Sequence, residues 1–283
     1  MTPAFRPSLV CLLSLISTAA SSHEYWLDAV DPSISSEQKI IVDIRNGENF
    51  VGAAFPYNPD NFTSIDISYN GKTEPYSGRL GDYPALHKTP TEAGIYAFTV
   101  NSAESSLEYT TWHKFKNFLD YHALDAIEEA HKSRGLPNSN IKELYRRNAK
   151  TLLRVDHTSP AKNALATPED LATKNAAFEL TGADFEMRLL DNPYSEIKEL
   201  RVQLMLDGKP LPNRQAEMFW RGDQMFRFTQ KSDAEGIATF KLLADGEYMF
   251  NAVHVSEALS SDDAHWISLW ASITFEREGF GKL

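Results

Sequence analysis

The chain has 283 residues, with 39 acidic against 28 basic side chains, a formal charge of −11 and one cysteine. That acidic balance argues against nucleic acid or an anionic membrane surface as partner, because both select basic patches. The length suggests two domains at about 100–200 residues each.

Residues 1–7, MTPAFRP, carry one basic group; 8–17, SLVCLLSLIS, are apolar; and 18–22, TAASS, are small. This is the pattern of a secretory signal peptide. The apolar run is too short to span a bilayer, which takes about 20 residues. Cutting after Ser22, with Ala20 two residues earlier, leaves His23 as the new N-terminus; cuts after Ala20 or Ser21 also satisfy the small-residue rule. Cys11 leaves with the leader, so disulfides, thiolate metal sites and cysteine catalysis are excluded from the mature chain. A periplasmic, exported protein with no direct membrane insertion after cleavage is expected.

Apolar–polar alternation at 38–46, 63–70 and 94–100 predicts half-buried strands, the last with Tyr96, Phe98 and Val100 on one face. Turns are predicted at Asn46-Gly47, Asn70-Gly71 and Pro90–Gly94. The spacing suggests an antiparallel β-sandwich over residues 23–112. The period then changes to helical over 114–134, placing Phe115, Phe118, Leu119, Ala123, Ala126, Ile127 and Ala130 on one face, with Gly135 and Pro137 as stop signals. A second helix is predicted over 139–149, capped by Ser139. Residues 113–157 thus read as a helical insert with a returning strand, and 158–177 as a linker. Over 178–283 alternation returns, with Leu200, Val202, Leu204 and Leu206 on one face and turns at Asp207-Gly208 and Asp233–Gly236. The fold class is mostly β: two antiparallel sandwich domains separated by the insert.

Several blocks occur together in order: HEYWLDA after the leader, RNGENFVG at 45–52, GRLGD at 78–82, YRRNAKTLLRV at 145–155, DGKPLPN with DAEGIATF, and FNAVHV with HWISLWASITFE. The chain resembles the exported proteins of unknown function labelled as a periplasmic nickel/cobalt-uptake-like family. The resemblance implies a bacterial periplasmic protein, a second domain like the transthyretin or carboxypeptidase-regulatory sandwich, and a histidine directly after the cleavage site. Members of that family commonly show Asp-Trp where this chain has His265-Trp266, so the family's pattern does not carry over at His265.

An N-terminal histidine offers a free α-amine, of pKa near ~7.7–8, and ring Nδ1, which together close a chelate ring on a metal. A third nitrogen from His254, in FNAVHV, would complete a tetragonal set suited to Cu(II) or Ni(II), with His265 as a further candidate ligand. The expected metal ligands are therefore His23, His254 and His265. Glu24 reads as a solvated surface carboxylate, Tyr25 and Trp26 as packing residues, and His113, His122 and His131 as structural or exposed. No Gly-x-Ser-x-Gly, His-Glu-x-x-His or phosphate-binding glycine loop occurs, so no enzyme is expected. The expected function is a metal-binding carrier or accessory in nickel, cobalt or copper uptake, with a metal ion and a membrane metal transporter as partners. Two rivals stand beside it: a histidine-brace copper oxidase, and a cell-envelope binding module without metal.

Overall fold

The computed structural model describes residues 23–156, 178–259 and 264–280. The expected leader at 1–22 and linker at 158–177 lie outside the described residues. The chain is mostly β, 54% strand against 10% helix.

In chain order the strands are β1 (Glu24–Ala29), β2 (Ser33–Ser35), β3 (Ile40–Glu48), β4 (Val51–Phe55), β5 (Phe62–Tyr69), β6 (Lys72–Pro75), β7 (Leu86–Lys88), β8 (Gly94–Ser102) and β9 (Ser105–Tyr109). Helices α1 (Trp112–Tyr121) and α2 (Asp125–Ser133) follow, then the long β10 (Ile141–Asp156). The remaining strands are β11 (Phe185–Leu189), β12 (Glu199–Leu206), β13 (Lys209–Pro210), β14 (Gln215–Arg221), β15 (Met225–Lys231), β16 (Ile237–Lys241), β17 (Gly246–Glu257) and β18 (Trp266–Arg277).

One large sheet runs β15-β14-β17-β18-β10-β8-β5-β6, with β2 and β9 also paired to β10. The segments 23–112, 113–157 and 178–283 all contribute strands to it. Its seam is the pairing of β10 with β18, which is parallel, from Glu143↔Trp266 to Thr151↔Thr274. Successive strand residues point to opposite faces, and the two principal cores divide by that rule. Ile95, Ala97 and Leu152 join the core under the β11-β12-β13 sheet and β16. Their neighbours Tyr96, Phe98 and Leu153 join the core under the β1-β3-β4 sheet and β7. The helices pack on that second face as well, through Phe115, Phe118 and Leu119 against Val253, Val255 and Trp270.

Strand β1 meets the large sheet edge-on. The Tyr25 carbonyl accepts from Ser272 Oγ at 2.7 Å, and the Leu27 carbonyl from Thr274 Oγ1. Side-chain hydroxyls therefore satisfy backbone groups that an open edge leaves exposed. Trp26, fully buried, packs with Phe50, Phe219 and Met249, tying β1 to β14 and β17.

Three local expectations are corrected. Asn70-Gly71 and Asp207-Gly208 take positive φ and turn the chain, but Asn46-Gly47 lies inside β3, and the turn falls at Asn49 and Phe50, φ 54° and 61°. Gly47 serves close approach instead. A Cβ there would lie 2.0 Å from the Val51 carbonyl oxygen and 2.4 Å from the Gly52 Cα. The expected helix 114–134 is two helices, because Ala123 is left-handed at φ 51°. The expected helix 139–149 is the first part of β10. Several polar residues here, which mimic a solvated helix face, have partners from distant parts of the chain: Arg146 pairs with Asp184 and Asn148 with Asn101, and Lys150, just beyond, donates to the Glu179 carbonyl.

Candidate functional site

The three histidines expected to share a metal are not brought together. His254 sits on β17 opposite Leu269, on the face that packs against β11. Burial and then the Arg214 charge hold its ring well below the usual range, at about 4, and its buried Nδ1 has no hydrogen-bond partner among the described residues. His265 precedes β18, four residues before Leu269, or roughly 13 Å along an extended strand. There it is a structural pin: its Nδ1 accepts from the Lys142 N–H at 2.9 Å, and its own N–H donates to the Lys142 carbonyl at 2.9 Å. Strand β1, which begins next to His23, lies on the other face of the large sheet from His254. The sheet separates them, which corrects the His23–His254–His265 ligand set.

The structure gives His23 a different neighbour. The register of β1 with β3 pairs Glu24 with Gly47, so the next pair outward is His23 with Glu48. Ring Nδ1 lies 3.4 Å from Glu48 Oε1, in ion-pair range but without hydrogen-bond geometry. Glu48 is held there by the RNGENFVG block. Gly47 and Gly52 let the two hairpin strands close, and the left-handed pair Asn49-Phe50 turns the chain. Arg221 locks the tip from β14, donating to the Phe50 carbonyl at 2.9 Å, with its guanidinium 4.7 Å from the Phe50 ring centre.

Glu24 is not a solvated carboxylate; it is 2% exposed and points the other way, toward β14. Its Oε2 accepts from the Asn49 N–H at 3.2 Å. Burial, and next the Glu217 charge, push its pKa up to about 7. Glu217 itself is fully buried at the centre of a network. One oxygen pairs with His122 Nδ1 at 2.8 Å and accepts from Arg227 at 2.8 Å and Gln215 at 3.2 Å, while the other accepts from Asn251 at 2.9 Å. Burial alone would raise this carboxyl, but the His122 and Arg227 charges and their hydrogen bonds outweigh it and hold it at about 2. Arg227 also lies 3.7 Å above the Tyr121 ring and donates to the Tyr121 carbonyl. Tyr121 is raised above its ordinary value by burial and then by the Glu24 charge. A chain of acid, imidazole and guanidinium groups thus runs inward from the start of β1.

His122 and His131 are structural, as their helical context suggests. His131 accepts from Trp266 Nε1 at Nδ1, 3.1 Å, so its Nε2 carries the proton and donates to the Pro137 carbonyl. Sequence reasoning missed Glu48, Glu24 and Glu217. Only the position of Glu48 in RNGENFVG carried a signal, since it closes strand β3, whose antiparallel pairing with β1 brings that end to the start of β1.

Whether a metal fits can be tested on the atoms present. Among the described residues no three His, Cys, Asp or Glu side chains gather round one point. His23 Nδ1, buried and without a hydrogen bond among the described residues, and the Glu48 carboxylate beside it are two donors, and an N-terminal amine at residue 23 would supply a third. The residues at His23 fit a small chelate site; those at His254 and His265 do not.

The protein is mostly β, with His23 facing Glu48 beyond the end of the β1–β3 pairing. The chain belongs to the family described as a domain of unknown function, DUF4198, which it matches over residues 20–256. No curated protein matches it. Among solved structures it is similar to the D0-D1 domain of Intimin, 10% identical, covering 88% of this chain and 96% of that one, with a TM-score of 0.20. It is also similar to a tetra-tandem repeat in the extending region of a large adhesion protein, 11% identical, covering 90% of this chain and 49% of that one, again with a TM-score of 0.20. Likenesses this distant say nothing of function. Among the described residues no helix is long and apolar enough to cross a membrane.

Proposed function

We propose that the protein is exported to the periplasm, matures at His23, and binds one divalent transition metal there as a carrier or accessory in nickel, cobalt or copper uptake, without catalysis of its own. The reading rests on one observation: the His23 ring faces the Glu48 carboxylate at 3.4 Å, with Nδ1 making no hydrogen bond among the described residues. The ligands would be the His23 amine, His23 Nδ1 and Glu48. Two nitrogens and an oxygen suit Cu(II) or Ni(II), with copper favoured by the divalent affinity order. The resemblance to exported nickel/cobalt-uptake-like proteins supports a membrane transporter as the receiving partner. A histidine brace is disfavoured, since it needs a second imidazole beside His23 and neither His254 nor His265 is placed there.

The test is calorimetric titration with Cu(II) and Ni(II) of four forms: the mature chain beginning at His23, the same chain with one alanine added before it, Glu48→Gln and His254→Ala. Extension moves the amine and leaves the charge and fold intact, so affinity should fall by roughly 10-fold or more, the size typical of a lost metal partner. Glu48→Gln should weaken binding and His254→Ala should not. Affinity should fall as pH drops, because protons compete with the metal for both nitrogens. Equal affinity in the mature and extended forms, or an exported chain that starts at Ser21 or Glu24, would remove the chelate.

A further inference from the structure

Away from the site at His23, the open end of the large sheet carries a groove of about 840 Å³. Its floor is a strip of three rings: Trp220 on β14 lies 5.9 Å from Phe226 on β15, and Phe226 lies 6.3 Å from Phe228, each pair tilted by 27°. Register places Trp220 opposite Phe226, so the rings share one face of neighbouring strands. Phe226 is 44% exposed and Phe228 39%. Two glycines make room for the indole. A Cβ on Gly222 would come within 2.4 Å of its ring, and one on Gly246 within 2.9 Å of its Nε1. That Nε1 is buried and has no hydrogen-bond partner among the described residues.

Strand β15 is the last in the sheet order. An outermost strand presents unpaired backbone groups, and proteins usually shield such edges with charge, proline or a covering segment. Here the Met225–Phe228 half instead presents aromatic rings. The groove is rimmed by Asp223, Asp245, Glu276 and Glu278, with Arg277 as the basic residue. Arg277 is turned away from the role of counter-charge: it donates to the Ser195 carbonyl and stacks 3.9 Å from the Phe280 ring centre. A second copy of this chain would bring the same acids against these, and an anionic lipid surface would be repelled in the same way.

We propose that this groove binds an extended basic segment of a partner protein. The segment adds to β15 as a further strand, with an apolar side chain on the Trp220–Phe226–Phe228 strip and Lys or Arg side chains toward the acidic rim. Strand addition draws affinity from the backbone and specificity from alternate side chains, and the strip and the rim provide those two contacts.

The test uses the full exported chain and two capped probes, Lys-Val-Lys-Phe-Lys-Val and its acidic counterpart Glu-Val-Glu-Phe-Glu-Val. Titration is followed by calorimetry, and backbone amide exchange locates the bound strand. The basic probe should bind, slow exchange at β15 amides, and weaken as salt is raised. Phe226→Ser, and separately Asp223→Lys with Glu278→Lys, should each weaken it by about 10-fold or more, the loss expected of a central anchor. All three positions are exposed, and the circular dichroism and urea midpoint of each variant check that its fold is kept. Equal binding of the acidic probe, binding without β15 protection, or a wild-type dimer that Phe226→Ser abolishes would overturn the proposal.

Discussion

Replacing Glu217 by glutamine tests whether the buried network beneath Glu24 holds the helices and β14 together. Glutamine keeps the shape but turns an NH₂ toward groups that already donate, and removes the charge facing Arg227 and His122. Two routes give the same magnitude. Breaking a buried ion pair by removing one partner costs roughly 3–5 kcal/mol. A carboxyl held at about 2 instead of the ordinary 4.5 is worth roughly 3 kcal/mol at ~1.4 kcal/mol per pH unit. Because the folded value lies below the unfolded one, this stability is complete above about pH 4.5 and is lost as pH falls toward 2. Urea unfolding at a series of pH values should therefore show Glu217→Gln less stable by about 3 kcal/mol at pH 7, with the gap closing between pH 4.5 and pH 2. Equal urea midpoints at pH 7, or a gap that stays constant down to pH 2, would refute the assignment.

Glu24 has the opposite sign, since its folded value of about 7 lies above 4.5. Its charge penalises the fold increasingly as pH rises from 4.5 through 7, so Glu24→Gln should stabilise by about 3 kcal/mol at pH 8 and by little at pH 4.5, read from urea midpoints at the two pH values. Gly47→Ala places a methyl against the Val51 carbonyl and the Gly52 backbone. It should cost at least ~1–3 kcal/mol in thermal unfolding and lower metal affinity at His23 as Glu48 is displaced, whereas a fold and affinity like wild type would contradict the close-approach role. His254→Leu removes a buried nitrogen without a partner, so it should leave stability unchanged or raise it by up to about 1 kcal/mol, and any large loss would mean that the ring holds something.

Much of the mostly β architecture was legible because alternation is a local property. Tyr96, Phe98 and Val100 share one core, and Leu200, Val202 and Leu204 are fully buried together, as their spacing requires. The failures fall where a long-range contact reverses a local signal. The polar run in YRRNAK reads as a helix surface until Asn101, Asp184 and the Glu179 carbonyl arrive from distant parts of the chain. Asn46-Gly47 reads as a turn until Gly52 packs against it. Alternation placed Phe250, Ala252 and His254 on one face of β17, and that grouping is right. Which face β1 lies against is decided by the parallel seam between β10 and β18, and no local pattern encodes that pairing. The ligand set failed at that step, although the reading of each strand around it was sound.

The tip of the β3–β4 hairpin concentrates what the candidate site needs. Phe50 is a bulky residue held at φ 61° and 5% exposed, a conformation of order 1–3 kcal/mol above the ordinary regions. It persists because its ring fills the gap between Trp26, Phe219 and Met249 and its carbonyl is taken by Arg221. The neighbour on one side, Asn49, gives its N–H to Glu24, and the residue before that, Glu48, faces His23. One strained turn therefore sets the partner of His23, the hydrogen bond of Glu24 and the lock onto β14.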